Sequence, residues 1–100
     1  MHATLVGENH APKVGQEWHY TVRAADASGR PLRGTVETEF ALSGQVVGRE
    51  TPATHALRHG VLHDSVQFPA QAVGYPLALR AVVRSTAGTV ALDWSVTVTR

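Results

Sequence analysis

Cysteine is absent from this chain of 100 residues, which excludes disulfides, thiolate nucleophiles and cysteine zinc sites and leaves either redox compartment open. Charge of one sign is scarce as well. The formal net charge is +1, Lys13 is the only lysine, and Arg23, Arg30, Arg33, Arg80 and Arg84 are offset by Asp26, Glu37, Glu39 and Asp93. A nucleic-acid binder needs a basic stripe that releases counterions from phosphates, so nucleic acid is not an expected partner. No apolar run approaches the roughly 20 residues that carry a helix across a bilayer, and membrane insertion is not expected. Met1-His2-Ala3 does not read as a secretory leader; if the natural protein is exported, its signal has been removed and Met1 is an added start. No segment carries an apolar stripe at helical period.

What the chain does have is alternation. From Thr89 to Val98, every even position (Val90, Leu92, Trp94, Val96, Val98) is large and apolar, while every odd one is small or polar. A period of two puts one face on a core and the other in water, so the segment reads as a half-buried strand. Trp18, Tyr20, Val22 and Ala24 repeat the pattern, as do Val36, Thr38, Phe40 and Leu42, then Leu62, Asp64, Val66 and Phe68, then Leu77, Leu79, Ala81 and Val83. On this parity Trp18, Tyr20, Phe40, Phe68 and Trp94 all face inward, so core packing rather than a sugar-binding platform accounts for them. Turn chemistry separates the runs: Asp26-Ala27-Ser28-Gly29, Ser43-Gly44, His59-Gly60, Gly74-Tyr75-Pro76 and Ser85-Thr86-Ala87-Gly88. A short strand at Gln45 to Gly48 and another around Ala3 to Val6 bring the total to about seven, within a single domain over residues 1–100. Residues 49 to 60, which contain Pro52, are expected to run over the surface as an irregular connection.

The last hairpin permits a sharper expectation. A connection at 85–88 sets Arg84 opposite Thr89, so Leu79 meets Trp94 inside and Arg80 meets Asp93 outside. A slip of one residue would bury Asp93 or expose Trp94.

The stretch from Val22 to Val36, with its Asp26-Ala27-Ser28-Gly29-Arg30-Pro31 turn between two strands, resembles bacterial immunoglobulin-like and fibronectin type III-like modules. Phe68-Pro69, Gly74-Tyr75-Pro76 and the terminal strand extend the similarity over roughly residues 12–100. The resemblance implies an all-β, immunoglobulin-like antiparallel sandwich of an exported bacterial protein, in which the module spaces, anchors or recognises. It would make Tyr75 a candidate for the tyrosine corner of such sandwiches, against an ordinary rim tyrosine. The Cys…Trp…Cys pattern of antibody domains is missing.

The residues point to no enzyme and to no cofactor. Ser65, His63 and Asp64 supply the letters of a hydrolytic triad, but neighbours along a strand face opposite ways. Glu37 and Glu39 share a face and are expected as solvated partners of arginines such as Arg80 or Arg84 on a neighbouring strand. The expected function is that of a structural or interaction module meeting a protein partner or neighbouring domains. Its candidate binding residues are Arg49, Glu50, His55, Arg58 and His59, because loops on a rigid scaffold carry most recognition. The alternative is a small extracytoplasmic copper- or zinc-binding domain using His55, His59 and His63, which recur every four residues. Gly60 argues against the helix that would stack those rings, and on a strand each step of four spreads them about 13 Å. A looser arrangement, with His55 or His59 meeting Asp64 or Glu50 across a hairpin, stays open. Met1 is the only methionine, so thioether ligands for Cu(I) are lacking.

Overall fold

The computed structural model describes all 100 residues, the side chain of Thr51 excepted. The alternating runs become β1 (His2–Gly7), β2 (Trp18–Ala25), β3 (Gly34–Leu42), β4 (Gln45–Ala56), β5 (Val61–Val66), β6 (Pro76–Ser85) and β7 (Gly88–Thr97). They pair antiparallel into a sheet ordered β1-β2-β5 and a sheet ordered β4-β3-β6-β7. The chain crosses between sheets after β2, β4 and β5, and the expected all-β antiparallel sandwich results. A single 3-10 turn at Ala70–Ala72, which alternation cannot signal, carries the chain from β5 to β6.

Between the sheets lie the side chains of the inward parity. Val22, Val36, Leu79, Ala81 and Val83 are fully buried, and Trp18, Tyr20 and Phe68 almost so. Each large apolar side chain removed from water contributes about 1.5–3 kcal/mol, which is why parity decides the fold. Phe68 meets the rings of Trp18 and Phe40 edge-on, at 5.7 and 5.5 Å between centroids. Trp94 is half-buried at the rim beside β1. Its indole stacks on His10 at 4.2 Å and donates to the Asn9 carbonyl at 2.9 Å, while Trp18 donates to the Asn9 side-chain oxygen at 3.0 Å. One residue of the β1–β2 loop thus satisfies both indoles. Gly7 has no room for a side chain, since a Cβ there would strike both indole rings.

The expected hairpin register holds: Leu79 pairs with Trp94, Arg80 with Asp93 and Arg84 with Thr89. Arg80 donates to both carboxylate oxygens of Asp93, at 2.8 and 3.2 Å. Glu39 lies opposite Arg80 on one side and opposite Arg49 on the other. The outer face of the four-stranded sheet therefore carries a row of alternating sign, Arg49, Glu39, Arg80 and Asp93, one residue from each strand. Glu39 is not solvated as expected. It is only 6% exposed, covered in the middle of the row, with Arg49 Nε at 3.7 Å. Burial and the neighbouring Glu37 raise its carboxyl above the usual range, against the pull of Arg49 and Arg80.

A second expectation fails. Residues 49 to 56 are not a surface connection but the greater part of β4, which extends the short strand at Gln45 far beyond Gly48. Two irregularities disguise it. Phe40 pairs with Gly48 and Ala41 with Val46, so Val47 is an extra residue; Glu37 pairs with Thr54 and Glu39 with Arg49, so residues 50–53 stand opposite Thr38 alone. Pro52 falls in that second bulge. β4 is an edge strand, where a missing N–H is tolerated and a bulge bends the strand. Alternation is lost at a bulge, and the sequence reads as irregular although the backbone is extended.

Candidate functional site

The wide bulge of β4 sits above the gap between the two sheets, and it changes what the strand presents. Ordinary pairing resumes at Thr54, with His55 opposite the buried Val36 and so on the inner side. Glu50, the next residue after the outward-facing Arg49, is also turned in, toward Tyr20 and His55. Across the gap, Asp64 lies on the inward parity of β5, between the buried Leu62 and Val66. β2 contributes Tyr20, paired with Asp64, and β3 contributes Thr38. Four strands of two sheets thus converge on one polar cluster.

Its geometry is compact. Tyr20 donates its hydroxyl proton to Asp64 Oδ2 at 2.7 Å and lies 2.8 Å from Thr38 Oγ1 and 3.2 Å from Glu50 Oε2. His55 Nε2 lies 3.2 Å from Glu50 Oε2 and 3.3 Å from Asp64 Oδ2. The His55, Glu50 and Asp64 side chains retain 22%, 11% and 20% of their exposure, so water reaches the group without filling it. No buried side-chain nitrogen or oxygen is left without a partner among the described residues.

Two carboxylates this close cannot both ionise freely. Burial, reinforced by Asp64, pushes the Glu50 carboxyl up to about 7, against the counter-pull of His55 and Tyr20. Burial also opposes charge on Asp64, but the hydrogen bonds from Glu50, Tyr20 and the Ser65 backbone outweigh it and hold Asp64 below the usual range. The phenol of Tyr20 is driven well above its ordinary value, by burial first and then by the neighbouring carboxylates. It therefore acts as a fixed donor and not as a base. The cluster offers one imidazole nitrogen and two carboxylate oxygens converging on one point, with a hydroxyl pair behind them.

The other candidate residues lie elsewhere. Arg49 is exposed on the outer face beside Glu39, and Arg58 is exposed beyond β4. His59 occupies the turn into β5 with a φ of 51°. His63 is exposed on the outer face of β5, with Nδ1 3.1 Å from the Thr21 hydroxyl. Of the expected binding residues, Glu50 and His55 are thus drawn inward, away from Arg49, Arg58 and His59. Among the described residues, the trio of possible metal ligands whose donor atoms lie within 4.8 Å of one another is Glu50, His55 and Asp64, so His59 and His63 do not join His55. The meeting of His55 with Glu50 and Asp64 is the looser arrangement left open by the sequence. Tyr20 and Thr38 were missed, having been assigned to the core. An aspartate on an inward strand position was the available signal, since a buried carboxylate demands polar partners on the facing strands. Ser65 and His63 face away from Asp64 along β5, which prevents a relay among them.

A second feature lies at one end of the sandwich. The β3–β4 hairpin and the 3-10 turn flank a cleft of about 580 Å³ lined by Phe40, Val47, Phe68, Tyr75 and Leu77, with Arg49 at its side. Tyr75 is 55% exposed and Val47 58%, so Tyr75 is a rim residue and not a corner.

No protein-family model matches the sequence, and no curated protein matches it. Among solved structures, the chain is similar to the crystal structure of an engineered protein, with a TM-score of 0.60 and 15% identity, over 99% of this chain and 20% of that one. The chain spans about a fifth of that neighbour's length. At such identity the likeness carries the fold alone.

Proposed function

We propose that this chain is a non-enzymatic structural or interaction module of an exported bacterial protein, an immunoglobulin-like sandwich that meets a neighbouring domain or protein partner through the end bearing Val47 and Tyr75. The observation that carries the reading is the grouping of exposed apolar side chains. Val47 and Tyr75 stand on two separate segments at the mouth of one cleft whose floor is made by Phe40, Phe68 and Leu77. Apolar surface gathered in this way, with Arg49 on its rim, suits a side-chain contact with another folded surface. Strand addition along β4 is disfavoured, because two bulges and Pro52 spoil the regular edge that an incoming strand would need.

Hydrogen exchange tests the reading. Amides at 46–49 and 70–75 are expected to gain protection in the full gene product relative to this chain alone. Equal exchange in both, or a natural protein consisting of this domain alone in the cytosol, would exclude it. No helix among the described residues is long and apolar enough to cross a membrane.

A further inference from the structure

We propose that Glu50, His55 and Asp64 form a zinc-binding site, with Tyr20 and Thr38 as the shell that orients its ligands. The inference is independent of the interaction reading above. It starts from three donor atoms on the two facing edges of the sandwich.

The distances decide between a simple hydrogen-bonded trio and a ligand set. A charge-assisted hydrogen bond draws its heavy atoms to about 2.7–2.9 Å, and one N–H can point well at only one acceptor. Here one nitrogen stands nearly equidistant from two carboxylates, at 3.2 and 3.3 Å. Ligands about 2.0–2.1 Å from a zinc ion at tetrahedral angles are separated from one another by about 3.3 Å. The two spacings from His55 are those of a tetrahedral edge, the two carboxylate oxygens lie within 4.8 Å of each other, and the partial exposure of all three side chains leaves a fourth position for water.

Charge and donor type narrow the ion. Two carboxylates and a neutral imidazole carry two negative charges, which one divalent cation balances in a site too buried to leave them bare. Calcium and magnesium favour all-oxygen shells, whereas imidazole with carboxylates suits zinc; the absence of sulfur disfavours Cu(I). The outer partners are already in place. Tyr20 donates to Asp64 at 2.7 Å and Thr38 backs Tyr20 at 2.8 Å, the kind of second layer that fixes a ligating carboxylate. Because Glu50 and His55 come from β4 and Asp64 from β5, bound zinc ties together two edge strands of different sheets.

The test uses the whole chain, stripped with a chelator and titrated with zinc chloride or cobalt chloride. One ion per chain is expected, with Co(II) giving the intense visible absorption of a tetrahedral site and Zn(II) raising the melting temperature by at least about 5 °C at saturation. Magnesium should do neither. Glu50→Gln, Asp64→Asn and His55→Gln should each lower zinc affinity at least 10-fold, while His59→Ala and His63→Ala should leave it unchanged. Absence of stoichiometric Co(II) absorption from the unaltered chain would overturn the proposal, whatever the variants do. Binding that survives all three ligand substitutions, or that is lost with His59 or His63, would overturn it equally.

Discussion

Two polar rows cross this sandwich, and they are built on opposite terms. On the outer face Arg49, Glu39, Arg80 and Asp93 alternate in sign, each directly opposite the next, with water at either end. In the gap between the sheets, Tyr20, Thr38, Glu50, His55 and Asp64 bring two acids together with a single imidazole and two hydroxyls. The first row is balanced by pairing. The second is held by hydrogen bonds and carries a repulsion that one partner alone does not relieve. Polar groups laid across a sheet face fix register, whereas polar groups gathered where two sheet edges meet create a place that can accept something.

The contrast predicts unequal costs. The largest is expected at Tyr20→Phe, which keeps the ring in the core but leaves Thr38 and Asp64 without the hydroxyl; unfolding in urea should show a loss of about 1–3 kcal/mol. A change within error would mean that the inner row is not held by that hydroxyl. Next comes Glu50→Gln in metal-free protein. The folded carboxyl titrates at about 7, above its unfolded value of 4.5, so its contribution is fully present below pH 4.5 and fades as pH rises through 7. At pH 8 the glutamine variant should therefore be the more stable, by on the order of 1 kcal/mol, and its stability should vary less between pH 4.5 and 7. Parallel pH profiles for the two proteins would remove the repulsion from the account. The smallest effect belongs to the outer row. A double-mutant cycle with Arg80→Ala and Asp93→Ala should return about 0.2–1 kcal/mol and shrink in high salt. A coupling several times larger and indifferent to salt would make the outer row a structural element in its own right.

Half of the outer row, the Arg80–Asp93 pair, was legible because strand parity and hairpin length are local. A connection at 85–88 and the alternation of Leu79, Arg80, Asp93 and Trp94 were enough to pair Arg80 with Asp93. The inner row was only half legible. Asp64 on an inward position and His55 near Glu50 could be read as a possibility, but nothing local states that β4 faces β5 across the gap. The bulge at residues 50–53 concealed a strand of 12 residues, and with it the direction of Glu50. Glu39 shows the same limit. Its face followed from parity, while its burial depended on Arg49 and Arg80 arriving from strands on both sides.

Period and turn chemistry, both encoded over a few residues, determined that this chain forms an antiparallel sandwich with Trp18 and Trp94 on its inner parity and Asp93 outside. Which edges face each other, how far β4 runs and which acids share one imidazole were decided only by the packing of the sheets. Such contacts join residues distant along the chain, and their positions exist only once the apolar layers have closed.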